Sequence, residues 1–189
     1  MAIKMENIHE DPEGIEHYVA PIEEVRATAW QLGQLVARSS FEINQLVVVT
    51  RGGLTPTDCI SRSLDIRDIQ TFAAEVYQPN PNYGENDPRR EVPRRRLKVF
   101  REPVLNNPSG KGALFVEDVL DTGRTLGYIR RKYPEATTLA VYTKKSHRES
   151  LKYVDFYGMY VGDIWIDFPW EVEAETRRSL IDQYGSTVL

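Results

Sequence analysis

The stretch "LFVEDVLDTGRTL", residues 114–126, sets Glu117, Asp118 and Asp121 between an apolar run and a small Thr-Gly-Arg-Thr turn. Adjacent carboxylates accept hydrogen bonds from a vicinal diol such as that of ribose, and their hard oxygens suit Mg²⁺. Asp121-Thr122-Gly123-Arg124-Thr125 then offers backbone N–H groups, two hydroxyls and the positive end of a following helix to a phosphate. Each piece has an ordinary alternative: acids at strand ends sit solvated or cap the next helix, and Asp-Thr-Gly is a frequent turn. The whole order is apolar run, two acids, two apolar residues, then Asp-Thr-Gly-Arg-Thr. It favours a site for a sugar phosphate and its metal.

Such residues need a strand to deliver them and a helix to receive the turn. "ALFVE" reads as a buried strand ending at Glu117, and a helix over residues 126–132 stops before Pro134. Upstream, "PIEEVRATAWQLGQLVARS" puts Ile22, Val25, Ala29, Leu32 and Val36 on one helical face, with Glu23 and Glu24 near its N-terminus. The β-branched run "QLVVVT" stops abruptly at Arg51-Gly52-Gly53, as a strand buried on both faces does. Thr55-Pro56 suits a helix start, with Cys59, Ile60 and Leu64 as its apolar face. "IQTFAAEVY", "LKVF" and "TTLAVYT" read as further strands. Alternating strands and helices predict an α/β fold, an open, mostly parallel sheet flanked by helices, with ligands outside the carboxyl ends of the strands.

This predicts one domain over residues 18–189, preceded by a flexible N-terminal extension over 1–17. Residues 78–96 contain four prolines among asparagines and charges and are expected to form a mobile loop. The aromatic-rich segment 153–189 is expected to fold over the carboxyl edge of the sheet, above the site, and to end in a polar helix over 173–183.

Composition narrows the function. A chain of 189 residues, 41% hydrophobic, can bury a real core, and its formal net charge of −4 gives no overall pull toward nucleic acid or an anionic membrane. Any anion site must be local. Cys59 is the one cysteine, so no internal disulfide is expected, and it reads as inert packing on an apolar face. His9, His17 and His147 lack close metal-ligand spacing, so no structural metal is expected. The N-terminal residues carry no continuous apolar run, so neither a signal peptide nor membrane insertion is expected, and the chain reads as cytoplasmic. Arg94, Arg95 and Arg96, with Arg89 and Arg90 nearby, read as a solvated face or a closing loop, and nucleic acid is not an expected partner.

With these residues in place, the sequence resembles the type I phosphoribosyltransferases, whose signature for 5-phosphoribosyl diphosphate (PRPP) is this strand-acid-acid-loop-helix pattern. "VVVTRGGLTP" is similar to that family's diphosphate-binding loop. "KYPEATTLAVYTKK" and "DIWIDFPWE" are similar to the purine-binding segments of its bacterial xanthine-guanine branch. The resemblance covers residues 18–171.

The resemblance implies a role for each matching residue. Glu117 and Asp118 would bind the ribose hydroxyls, Asp121, Thr122, Gly123, Arg124 and Thr125 the 5′-phosphate, and Arg51 and Gly52 the diphosphate. Asp121 would also face the purine and serve as the catalytic group, Lys144 would donate to the 6-oxygen, Trp165 would stack on the base and the Ile166 backbone would read its edge. Asp118 and Glu171 would hold Mg²⁺. The implied activity is purine salvage: transfer of the phosphoribosyl group of PRPP to xanthine or guanine, giving the nucleoside 5′-monophosphate and diphosphate. The implied assembly is a homodimer or homotetramer. Two alternatives stay open: a hypoxanthine or hypoxanthine-guanine transferase, and a PRPP- or nucleotide-sensing regulator that contacts nucleic acid. The 78–96 loop, the N-terminal extension and Arg124, where a smaller residue is usual, depart from the family pattern.

Overall fold

The near-continuous apolar runs of this chain become the inner strands of a sheet covered on both faces. The structure is a computed structural model and describes residues 5–11, 14–76, 97–144, 148–162 and 164–171. The elements run β1 (Ile8–Glu10), β2 (Glu16–Val19), α1 (Ile22–Arg38), β3 (Gln45–Thr50), α2 (Leu54–Leu64), β4 (Ile69–Val76), β5 (Leu97–Arg101) and β6 (Ala113–Leu120). α3 (Arg124–Lys132), β7 (Thr137–Lys144), β8 (Phe156–Val161) and β9 (Trp165–Asp167) follow, with a short 3-10 helix at Arg148–Tyr153.

Six strands form the main sheet in the order β5-β4-β3-β6-β7-β8, parallel throughout except for β5, which runs antiparallel to β4 at one edge. Period-two alternation sorts its side chains. Leu46, Leu114, Val116, Leu139 and Val141 pack with Val25, Leu32 and Ile60 of α1 and α2 on one face, while Val47, Val49, Phe72 and Phe115 pack with Leu126 and Ile129 of α3 on the other. This is the expected α/β architecture, with helices on both faces. α1 buries Val25, Ala29, Leu32 and Val36, the predicted stripe, while Ile22 stays half-buried at its first turn.

Three expectations need correction. Residues 8–10 and 16–17, placed in the N-terminal extension over 1–17, lie in strands: β1 pairs antiparallel with β2, and β2 pairs parallel with β9 in a separate three-stranded sheet. β9, the second partner of β2, lies about 150 residues downstream, beyond the reach of local patterning. Second, Phe156–Val161 does not fold over the sheet but joins it as the edge strand β8, with Met159 and Val161 turned into the core. Third, β6 runs on to Leu120 rather than ending at Glu117, because Glu117, Val119 and Leu120 still pair with Ala140, Tyr142 and Thr143 of β7. The predicted loop over 78–96 and the polar helix over 173–183 lie outside the described residues.

Candidate active site

Strand order places the site. From β3 the chain crosses through α2 to β4 on one side, and from β6 it crosses through α3 to β7 on the other, so β3 and β6 flank the point where the order reverses. Connections leave in opposite directions there and open a crevice at the carboxyl ends of the strands. Pairing between β3 and β6 stops at Val48 and Val116. The next residues of β6 are Glu117 and Asp118, which therefore stand at a vacated edge while still braced by β7 on the other side.

β3 leaves through the Arg51-Gly52-Gly53 turn, whose Thr50–Arg51 peptide is cis. A Cβ on Gly52 would overlap the Asp118 carboxylate, so the glycine is what lets this loop and the acid pair lie against each other. Arg51 is exposed at the head of the turn. A cavity of about 180 Å³ opens beside the acids, lined by Val76, Glu117, Asp118, Val119 and the whole 121–125 turn. All seven residues predicted for ribose and phosphate thus share one cavity, while Arg51 and Gly52 lie outside its lining. Val76, at the end of β4, is a wall that no sequence signal marked.

At the turn, Gly123 has φ 72°, and a Cβ there would come within 2.6 Å of the Ser150 Cβ. A side chain is excluded on both counts. α3 begins at Arg124, two residues earlier than predicted, so Gly123 is its N-cap and Arg124 and Thr125 occupy its first turn. Gly123, Arg124 and Thr125 line the cavity, so the N-terminal, positive end of α3 borders it.

On the acid side of the cavity the electrostatics favour a cation. Burial pushes the Glu117 carboxyl well above the ordinary carboxylate range, the neighbouring Asp118 and Asp121 charges add to that rise, and a hydrogen bond from Thr125 partly offsets it. Burial likewise raises Asp118 to about 6; the Val119 backbone N–H, 2.8 Å from its Oδ1, opposes the rise, and the charge of Glu171 adds to it. Glu171 therefore lies within electrostatic reach of Asp118, and its own Oε2 accepts from the Phe168 N–H at 3.3 Å. Oxygen donors with mutually unfavourable charge are a fitting set for a hard divalent cation.

Beside the cavity, β7 ends at Lys144. Its Nζ stands 4.0 Å from Asp121 Oδ2 and 5.5 Å from the centroid of the Trp165 ring. The Lys144 side chain is only 15% exposed, whereas Trp165 leaves 45% of its surface open. Ile166 is buried and pairs with Tyr18 in the β2–β9 register. The three residues predicted to contact a base are thus collected from β7 and β9 at one corner, next to Asp121. Trp170 does not join them; it stacks on Phe168 at 4.7 Å and 11°.

Sequence reasoning missed the support behind this corner. Glu24, in the first turn of α1, accepts hydrogen bonds from Tyr18 and Tyr142, each at 2.7 Å. Tyr18 is the register partner of Ile166, and Tyr142 precedes Lys144 by two residues. One carboxylate thereby joins β2, the neighbour of the base-side strand β9, to the lysine-bearing strand β7. The only signal available beforehand was an acidic residue at a helix start, which has a sufficient local explanation.

Comparison with known proteins gives a consistent picture. The family model of the phosphoribosyl transferase domain matches residues 19–177. The chain is 36% identical over 149 residues to a xanthine-guanine phosphoribosyltransferase of Cereibacter sphaeroides, covering 78% of this chain and 80% of that protein. It is 33% identical over 138 residues to one of Idiomarina loihiensis, covering 73% and 77%. Among solved structures, the fold is similar to a Helicobacter pylori xanthine-guanine-hypoxanthine phosphoribosyltransferase, with TM-score 0.62, 23% identity and coverage of 84% and 96%. It is also similar to a hypothetical protein from Neisseria gonorrhoeae with bound ppGpp, with TM-score 0.66, 16% identity and coverage of 84% and 90%.

Proposed function

Because the chain belongs to the phosphoribosyl transferase domain family, we propose that it is a purine salvage enzyme that transfers the phosphoribosyl group of PRPP to a 6-oxopurine, xanthine or guanine foremost. One observation carries the reading: Asp121 both lines the acid-and-turn cavity and lies 4.0 Å from Lys144, whose ammonium sits above Trp165. The sugar-phosphate half and the base half of a nucleotide meet at that residue.

In this reading Glu117 and Asp118 accept the ribose hydroxyls, and Thr122, Gly123, Arg124 and Thr125 hold the 5′-phosphate with the backbone N–H groups of the first turn of α3. Arg51 and the Gly52 backbone face the diphosphate. A bond forms between a purine ring nitrogen and the anomeric carbon while the bond from that carbon to diphosphate breaks, and the electron pair leaves with diphosphate. Positive charge builds on the ribose ring, beside the two carboxylates that face it. The proton of the incoming nitrogen passes to Asp121. Trp165 and Lys144 hold the base in line, and the Ile166 backbone reads its edge. Asp118 and Glu171 would hold Mg²⁺, which supplies positive charge to the diphosphate oxygens when bound.

No helix among the described residues is long and apolar enough to cross a membrane. The assembly proposed with this function is a homo-oligomer. Turnover with PRPP and Mg²⁺ across xanthine, guanine, hypoxanthine, adenine, orotate and uracil tests the function. The 6-oxopurines are expected to react and the other three to fail. Binding of PRPP without turnover of any base would replace the enzyme with a regulator.

A further inference from the structure

Away from the cavity, the small sheet collects side chains that the proposed reaction does not use. His9 of β1 and His17 of β2 are direct register partners, with ring centroids 5.2 Å apart, so both imidazoles project from one face. Asp167, at the end of β9, reaches the same point: its Oδ2 lies 2.8 Å from His17 Nδ1. One ligand atom from each of His9, His17 and Asp167 falls within 4.8 Å of the others. The wide sequence spacing that argued against a metal is thus closed by strand pairing.

We infer that His9, His17 and Asp167 form a binding site for a divalent transition cation of the zinc class, separate from the Mg²⁺ position. Imidazole nitrogen with one carboxylate oxygen is a donor set for Zn²⁺, Ni²⁺ or Cu²⁺ rather than for Mg²⁺, which prefers oxygen alone. Two ligands bound at about 2.0–2.1 Å stand roughly 3.0–3.4 Å apart, so the 2.8 Å gap between Nδ1 and Oδ2 needs only a small opening to admit the ion. His17 is buried and already oriented on its far side, where Asp11 Oδ2 lies 3.4 Å from Nε2. With no ion bound, Nδ1–H donates to Asp167; an ion would take the place of that proton, and Asp11 would then serve as the outer partner that holds Nε2–H and strengthens Nδ1 as a ligand. His9 is exposed and free to turn through the remaining distance, and it leaves room for water to complete the coordination.

The position has a consequence for the enzyme. The ion would fasten β1 and β2 to β9, whose Trp165 is the proposed base platform and lies with its ring 6.5 Å from that of His17. Occupancy would hold the platform-bearing strand against its neighbours without touching substrate.

Equilibrium dialysis of the full chain against Zn²⁺, with excess Mg²⁺ present, tests the site without an activity readout. One tightly held equivalent is expected, and both His9→Gln and Asp167→Asn should weaken it at least about tenfold. Protein-bound Co²⁺ should show a visible absorption band that both variants lose. His9 is exposed, so His9→Gln is expected to leave the fold intact, which circular dichroism checks; His17→Ala is avoided because that ring is buried. Absence of saturable Zn²⁺ binding, or binding unchanged in either folded variant, overturns the assignment.

Discussion

The α-carbon of Gly52 packs so closely on the side chain of Asp118 that a Cβ on the glycine would occupy the space of the carboxylate. The loop proposed for diphosphate and the acid proposed for ribose and metal are therefore one packed unit. Gly52→Ala is expected to displace Asp118 and lower kcat/KM for PRPP at least about tenfold, with a stability loss of about 1–3 kcal/mol from overpacking. Steady-state kinetics and denaturant melts measure both. Wild-type kinetics in this variant would separate the loop from the acid.

Glu117→Ala and Asp118→Ala are each expected to weaken PRPP binding by roughly ten- to a hundredfold, since charged hydrogen bonds contribute about 1.5–3 kcal/mol. Asp121→Ala should instead lower turnover more than PRPP affinity, because its proposed task is to receive a proton. Calorimetric titration with PRPP alongside single-turnover rates distinguishes the two patterns. Unchanged affinity in both of the first variants would remove the ribose assignment.

Lys144 carries three donors and no acceptor, so it matches the 6-oxygen of xanthine, guanine or hypoxanthine and opposes the 6-amino group of adenine. Lys144→Ala should reduce kcat/KM for every 6-oxopurine and narrow their advantage over adenine while leaving PRPP affinity nearly unchanged. An unpaired buried polar group costs about 1–3 kcal/mol, which sets the expected discrimination at roughly ten- to a hundredfold. A variant with untouched base preference would assign the 6-position to another donor.

Glu24→Ala removes the acceptor shared by Tyr18 and Tyr142 and should cost about 1–3 kcal/mol in urea unfolding. It should also raise KM for the base more than for PRPP, since both tyrosines stand behind the base corner. Glu24→Gln, which keeps an acceptor oxygen, should recover part of the loss. Equal effects of the two substitutions would show that the hydrogen bonds contribute nothing.

The pH dependence of stability should carry the mark of Glu102. Burial alone would raise its carboxyl, but hydrogen bonds from Lys132, Tyr133 and Tyr128 and the charge of Lys132 outweigh burial and hold it below the ordinary value. A carboxyl lowered in the folded state stabilises fully above its unfolded value and loses that contribution as pH falls through its folded one. The wild type should therefore lose more stability than Glu102→Gln on acidification below about pH 4.5, by about 0.5–1 kcal/mol for a partly exposed pair. Parallel melting curves for the two proteins across that range would refute it.

The sequence by itself determined the strand-helix alternation and the local chemistry of residues 114–126. A β-branched run such as "QLVVVT" has few ways to satisfy its backbone except as a buried strand, and Asp-Thr-Gly-Arg-Thr carries its own turn and helix start. The individual inner strands, the stripe of α1 and the grouping of Glu117, Asp118 and the 121–125 turn followed because each is set by neighbours a few residues apart. Contacts between distant segments were decided by tertiary structure alone. Whether Phe156–Val161 lies over the sheet or within it depends on β7 offering a free edge, and β2 is held between β1 and the distant β9. The same pairing aligns His17 with Trp165 and brings Asp167 to His17, while Glu24 finds Tyr142 across 118 residues. Hydrophobic period and turn chemistry act over one or two turns of chain, so these long-range partners leave no mark in local sequence.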